Sequence, residues 1–147
     1  MVESTIQIRP ATLDDAARLA QLSEQLGYPV ATKQILQRLN SLLRNHEHAV
    51  LVAASERGEV WGWVHVHLSR LLESAPRGEL GGLVVDEQHR GQGIGAQLVQ
   101  AAESWAREQG LSGMRVRSNV IRSRAHHFYE KLGYRTIKQQ VTFEKSW

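Results

Sequence analysis

The chain contains no cysteine. Disulfide bonds, thiolate metal sites and an acyl-cysteine intermediate are therefore excluded, and any group-transfer chemistry has to use other side chains. Proline is scarce as well, with three residues among 147. No segment rich in proline, glycine or serine divides the sequence, which predicts a single domain over residues 1–147.

Long apolar runs are also missing, since no stretch approaches the ~18 residues that a membrane span needs. The first residues have neither the basic start nor the apolar core of a signal peptide, so we expect a cytoplasmic protein without a membrane partner. The net charge is only +3, and the basic residues are scattered except for a small arginine cluster in residues 115–124. Because no base-stacking aromatic motif accompanies them, nucleic acid is not an expected partner.

Apolar periodicity predicts a mixed order of strands and helices. Thr12, with Asp15 in a capping box, and Thr32 are expected to cap the first two helices, and Gly133 to end the last. We expect strands at residues 6–9, 49–54, 60–68, 79–85 and 114–120, and one or two more within residues 134–144.

The strand over residues 60–68 has two different faces. Its alternation places Trp61, Trp63, His65 and His67 on one side and small or apolar residues on the other. If residues 70–76 form a simple hairpin loop, Glu79 lies opposite His67, unless a bulge at the paired glycines 81 and 82 shifts the register. His65 and His67 alone do not complete a metal site, so no metal is expected.

Residues 83–96 join an apolar strand to a helix through a loop that contains Arg90, Gly91, Gly93 and Gly95. Glycines allow the backbone to approach a ligand closely, and the unpaired N–H groups at a helix start favour an anion. The loop therefore predicts a pyrophosphate site. The helix that follows is expected to bury a stripe formed by Ile94, Leu98, Ala101 and Trp105.

The residues Gly91, Gly93 and Ala96 also have the spacing of the dinucleotide-binding fingerprint. That fingerprint needs glycines directly after the strand and an acidic residue at the end of the next strand. Here five polar residues, 86–90, intervene, and Glu108 lies in the helix. The context therefore argues against hydride transfer.

Two segments together, LGGLVVDEQHRGQGIGAQLV and SNVIRSRAHHFYEKLGY, resemble the GNAT superfamily of acetyl-CoA-dependent N-acetyltransferases. The resemblance spans nearly the whole chain. It implies an α/β fold with a mixed, mostly antiparallel central sheet that is splayed at the cofactor site and flanked by helices. It also implies direct transfer of an acetyl group from acetyl-CoA to a primary amine of a small molecule or peptide.

The resemblance and the strand pattern together suggest roles for individual residues. The resemblance implies that Tyr129 protonates the departing thiolate and that Tyr28 lines the acceptor pocket. The strand pattern adds Glu79 as a candidate base for the amine, and Trp63, His65 and His67 as candidates for the acceptor pocket. The expected coenzyme A contacts are Leu83, Val84, Val85, Arg90, Gly91, Gln92, Gly93, Ile94, Gly95, Ala96, Asn119 and Arg124, with Arg122 as a further candidate for the 3′-phosphate.

One alternative function stays open at this point, in which the chain is a catalytically silent module that senses coenzyme A or mediates an interaction. The family often forms homodimers, but the sequence does not define the oligomeric state. The acceptor is not defined either, but the scarcity of acidic residues near the expected pocket, apart from Glu79 and Glu24, weakly disfavours a polycationic aminoglycoside.

Overall fold

The computed structural model describes residues 5–117 and 123–147. Two compact units are distinguished, Met1–Val116 and Arg117–Trp147. The expectation of one domain over the whole chain stays a prediction. The strands are β1 (Ile6–Pro10), β2 (His48–Ser55), β3 (Val60–Leu71), β4 (Ser74–Val85) and β5 (Met114–Val116), and the helices are α1 (Ala16–Gln25), α2 (Thr32–Leu43), α3 (Ile94–Glu108) and α4 (Ser123–Lys131).

The five strands form one sheet in the order β1-β2-β3-β4-β5. The first three pairings are antiparallel, and β5 joins β4 in parallel after the crossover through α3. This confirms the expected mixed, mostly antiparallel sheet. The parallel ladder recorded in the described residues ends at Leu80, although β4 continues to Val85. Among the described residues, the half of β4 beyond Leu80 has no partner strand on this side, and we call it the open half of β4.

Helices cover both faces of the sheet, and the side chains of β3 alternate between these faces as predicted. Val64 and Val66 are fully buried, and Gly62 on the same face lies against Leu98 of α3. On the opposite face, Trp63 packs against the apolar cluster that α1 and α2 complete with Leu22 and Leu39. The aromatic and histidine face of β3 is thus the one that α1 and α2 cover.

The helix starts differ from the prediction in detail. The Thr12 N–H donates to Asp15 Oδ2 at 2.8 Å, as the predicted capping box requires, but the turn over Leu13–Asp15 is 3-10 and the α-helix begins at Ala16. The Thr32 cap was wrong, because Ala31 is the N-cap and its N–H is bound by the Gln34 side chain at 3.1 Å.

The hairpin between β3 and β4 is longer than predicted. Residues 70–76 were expected to be a loop, but β3 runs to Leu71 and β4 starts at Ser74, so backbone pairing leaves only two residues at the tip. The register of Glu79 opposite His67 is confirmed. The predicted bulge is also confirmed, since Leu80 pairs with Val66 and Gly82 with His65, which leaves Gly81 as the extra residue.

The buried stripe of α3 was wrong by one position in its second half. Ile94 and Leu98 are buried, but the rest of the stripe is Val99, Ala102 and Ala106, whereas Ala101 and Trp105 are half-buried. Alanines at 102 and 106 let the helix lie close to the sheet, and the bulky indole of Trp105 is left at its margin.

The unit Arg117–Trp147 contains α4, which ends before Gly133, a residue with φ +94°. The predicted final strands within residues 134–144 were wrong, because these residues form neither strand nor helix. A strand requires a ladder partner, and none is recorded for them in the described ranges. The predicted strand over residues 114–120 is described only as Met114–Val116, and Asn119 and Arg122 lie outside the described residues. None of the described helices is long and apolar enough to cross a membrane.

Candidate active site

The glycine loop has the backbone geometry of an anion cradle. Gly91 and Gly93 have φ of +82° and +80°, a region that side chains disfavour. Gly93 is the N-cap of α3, and its carbonyl accepts the N–H of Gln97 at 3.1 Å. In the described part of the chain no side chain caps this helix, so the N–H groups of Ile94, Gly95 and Ala96 stay available to a ligand.

Asp86 holds the loop in place, and sequence reasoning did not single it out. Its carboxylate accepts hydrogen bonds from Arg18 Nη2 at 2.7 Å and Gln25 Nε2 at 3.3 Å, both from α1, and from the Gln88 N–H at 3.3 Å. Burial would raise the pKa of Asp86, but the hydrogen bonds from Gln88, Arg18 and Gln25 lower it to about 2. The available signal was an acidic residue placed between a buried strand and the glycine loop.

Aromatic stacking fixes the next turn of the loop. The rings of Trp61 and His89 stack with centroids 3.7 Å apart and an interplanar angle of 11°. Arg90 turns back toward the strand, where its Nε donates to the Val85 carbonyl at 3.3 Å. These two contacts hold the residues that directly precede Gly91 and Gly93, the two glycines with positive φ.

These residues fit coenzyme A. The pyrophosphate has N–H donors at the start of α3, and a pantetheine arm has the open half of β4, where Val84 is buried and Leu83 and Val85 are half-buried. Gln92 is exposed in the loop. Arg124 is exposed on α4 and belongs to the second unit, so its contact with the cofactor stays a prediction.

A pocket of about 730 Å³ lies between α1, α2 and the sheet. Three of the four predicted acceptor residues, Tyr28, Trp63 and His65, line it. Arg38 of α2 also lines it and was missed, because nothing in the local sequence distinguishes it from other exposed helix positions. No aspartate or glutamate is found in the described lining.

The glycines of the β4 bulge line the pocket beside the rings of Trp63 and His65. A Cβ on Gly82 would lie 2.7 Å from the Trp63 ring, and a Cβ on Gly81 would lie 3.1 Å from His65 Nδ1. Real Cβ atoms do not approach other atoms that closely, so any side chain at Gly82 would displace the indole. The paired glycines therefore allow the two rings to lie close to β4.

His67 and Glu79 lie beside the pocket rather than in its lining. His67 Nε2 is 3.4 Å from Glu79 Oε2, and His65 Nε2 is 2.9 Å from His48 Nδ1. Burial, aided by the neighbouring His48 and His67, lowers the pKa of His65 to about 4. Burial and His48 also lower the pKa of His67, although Glu79 opposes them. Both rings are therefore neutral at pH 7.

Tyr129 lies on α4 in an aromatic group of the second unit. Its ring meets Phe128 and Tyr134 edge-on, with centroid distances of 5.1 Å and 5.9 Å. The Tyr134 N–H donates to the Tyr129 carbonyl at 3.0 Å, which ties the residue after the helix back to it. The role of its hydroxyl stays a prediction.

Comparison with known proteins agrees with this architecture. The model of the acetyltransferase (GNAT) family matches residues 13–134. The aminoglycoside N(6′)-acetyltransferase type 1 of Stenotrophomonas maltophilia is 33% identical over 147 residues, covering 97% of this chain and 95% of that protein. The aminoalkylphosphonate N-acetyltransferase of Salmonella typhimurium is 40% identical over 83 residues, 56% of this chain and 54% of that protein.

Solved structures show the same fold. AAC(6′)-Iy in complex with the bisubstrate analogue CoA-S-monomethyl-acetylneamine superimposes with a TM-score of 0.86 at 19% identity, covering 98% of this chain and 100% of that one. AAC(6′)-Ih from Acinetobacter baumannii superimposes with a TM-score of 0.85 at 20% identity, covering 97% of this chain and 99% of that one.

The family model covers most of the chain, and the loop geometry supplies the cradle that such a protein needs. This chain belongs to the GNAT family of acetyltransferases. It is an acetyl-CoA-dependent N-acetyltransferase that transfers acetyl groups to an amine, and the alternative of a silent coenzyme-binding module is not favoured.

Proposed function

We propose that a small-molecule primary amine binds in the pocket beside the β4 bulge and attacks the thioester of acetyl-CoA directly, in one complex with both substrates. Acetyl-CoA supplies the activated acyl group. The observation that carries the proposal is the position of the pocket, which reaches Gly81 and Gly82 on the same half of β4 that leads to the glycine loop. The absence of cysteine from the chain supports direct attack over an acyl-cysteine intermediate.

The order of chemistry can be tested by steady-state kinetics. Varying acetyl-CoA and an accepted amine together should give intersecting double-reciprocal lines, as a ternary complex requires. Parallel lines, the pattern of a covalent acetyl-enzyme, would contradict the proposal. Free thiol released from acetyl-CoA is the signal, and its dependence on added amine separates turnover from simple coenzyme binding.

Proton transfer is assigned to Glu79 and Tyr129. Glu79 takes the proton that the amine loses and Tyr129 supplies one to the sulfur, while backbone N–H groups near Val84 and Val85 donate to the carbonyl oxygen as it gains charge. Glu79 is 14% exposed at its side chain and lies on the strand that borders the pocket. Glu79→Gln should lower kcat at saturating substrates by roughly 10²-fold or more while acetyl-CoA affinity is kept. An unchanged kcat excludes this role.

Two acceptor classes are supported by different observations. A relative that matches nearly the whole chain at 33% identity is named for aminoglycosides, which makes an amino sugar the first candidate. The second candidate is a compact amine that also carries an anionic group such as a phosphonate. Arg38 favours it, because this guanidinium lines a pocket whose described lining contains no carboxylate.

Arg38→Ala separates the two classes. If the acceptor carries an anion, this substitution should raise KM for an aminoalkylphosphonate at least about tenfold and leave KM for an aminoglycoside unchanged or lower. Arg44→Ala is the matched control, since Arg44 follows the same helix but does not line the pocket. Efficient turnover of aminoglycosides by the unmodified enzyme, with no turnover of phosphonate amines, decides for the amino sugar. A homodimer, a peptide acceptor and a cytoplasmic location stay predictions.

A further inference from the structure

Three histidines from two strands meet on the face of the sheet that α1 and α2 cover. His48 of β2 is the Cα partner of His67 on β3, and His65 lies two residues earlier on the same face. One ring nitrogen from each lies within 4.8 Å of the others. The ring pairs His48–His65 and His48–His67 are both stacked, with centroids 5.2 Å apart.

We propose that His48, His65 and His67 form a binding site for a divalent first-row transition metal of the zinc type. Zinc binds imidazole nitrogen at about 2.0–2.1 Å, so two nitrogens on one tetrahedral ion are about 3.3 Å apart. The 2.9 Å between His48 Nδ1 and His65 Nε2 is already close to that separation. Three histidines with further positions open to water or a ligand is a known arrangement of zinc ligands.

The third ring has a nitrogen that the fold leaves unused. His67 Nδ1 is buried and makes no hydrogen bond within the described residues. Its other nitrogen, Nε2, is 3.4 Å from Glu79 Oε2. A carboxylate on one ring nitrogen is the usual outer support of a metal-bound histidine, because it fixes the tautomer and leaves the other nitrogen to the metal.

The chemistry of the ligands limits the choice of metal. No thiolate is available in the chain, which restricts the site to metals that imidazole binds well, such as zinc, copper and nickel. The site shares His65 with the pocket, so an ion bound there lies at the pocket wall.

Metal binding is measured directly on the full chain, with any affinity tag removed and the protein dialysed against a chelator. Calorimetric titration with zinc chloride at pH 7.5 should show one ion per chain. Cobalt(II) should give the visible absorption of a low-coordinate, nitrogen-ligated ion, and zinc should displace it. A folded protein that binds neither metal overturns the proposal.

Two variants locate the site. His48→Gln removes one ligand and should weaken zinc binding at least about tenfold. His46→Gln is the matched control, since His46 is exposed two residues away and is outside the cluster. Equal zinc affinity in His48→Gln and the unmodified protein overturns the site.

If His48→Gln does not fold, nitrogen-15 spectra of the histidine rings in the unmodified protein decide. Zinc should then shift ring nitrogens of His48, His65 and His67 and leave those of His46 in place. Shifts confined to other histidines overturn the proposal.

Discussion

Arg18 of α1 donates a 2.7 Å hydrogen bond to Asp86, 68 residues further along the chain, and so fastens the first helix to the beginning of the glycine loop. Arg18 also donates from Nε to the Val60 carbonyl at 2.8 Å. The Asp86 carboxylate also accepts hydrogen bonds from the Gln25 side chain and from the Gln88 N–H. The expected coenzyme cradle is therefore held by a helix that does not itself contain the glycine motif.

Replacement of Asp86 should weaken both the fold and coenzyme binding. Asp86→Asn removes a buried charge that Arg18, Gln25, His89 and the Gln88 N–H contact, which should cost about 1–3 kcal/mol in the free energy of unfolding and raise KM for acetyl-CoA. Urea unfolding and initial rates measure the two effects. Asp14→Asn, at an exposed position, should change neither. Unaltered values of both quantities in Asp86→Asn would contradict this role.

The contribution of Asp86 should depend on pH in a defined direction. Its pKa of about 2 in the folded protein is below the ordinary value of 3.8, so the unfolded chain binds the proton more readily. The stabilisation is complete above the ordinary pKa and is lost as pH falls toward 2. It amounts to about 2 kcal/mol. The difference in unfolding free energy between the unmodified protein and Asp86→Asn should shrink from pH 6 to pH 2, and a constant difference would refute the assignment.

A methyl group at Gly82 should damage the acceptor pocket selectively. Its Cβ would lie 2.7 Å from the Trp63 ring, so Gly82→Ala has to displace the indole. Overpacking of this size costs about 1–3 kcal/mol, and kcat/KM for the amine should fall roughly tenfold or more. Gly113→Ala is the control, because a Cβ there meets nothing within 4 Å. Equal kinetics in the two variants would show that the ring does not shape the pocket.

A methyl group at Gly93 should act on the coenzyme instead. Gly93→Ala forces a side chain into the left-handed region at φ +80°, at a cost of about 1–2 kcal/mol. Gly110 has the same φ at the other end of α3, with no atom within 4 Å of a Cβ. We expect both alanine variants to lose stability, but only Gly93→Ala to raise the dissociation constant for coenzyme A, as calorimetry can measure. A parallel loss of affinity in both would indicate general destabilisation.

Tyr129→Phe tests whether the Tyr129 hydroxyl donates the proton to the departing sulfur. Tyrosine keeps its proton at neutral pH, with a reference pKa of about 10, so loss of the hydroxyl should lower kcat by about 10²- to 10⁴-fold. The affinity for acetyl-CoA should change far less. Tyr134→Phe, at a ring that contacts Tyr129 edge-on, is the control for aromatic packing. A normal kcat in Tyr129→Phe removes this residue from the mechanism.

Local patterns predicted much of the fold correctly. The alternation in β3 and the Glu79–His67 register follow from side-chain period and hairpin pairing, and both are confirmed. Errors arose where the answer depends on a partner distant in sequence. The buried stripe of α3 includes Ala102 and Ala106 because the sheet accepts small residues there. Residues 134–144 were predicted to form strands but have no ladder partner among the described residues.

By itself the sequence determined the family and predicted the coenzyme cradle, because a glycine-rich loop that leads into a helix is a property of a few consecutive residues. Only the tertiary structure decided which side chains meet around them. The joining of His48 to His65 and His67, the clamp of Arg18 on Asp86 and the entry of Arg38 into the pocket each depend on strand register and helix packing. Such contacts bring together residues that are far apart in the chain, and no local pattern encodes the distance between them.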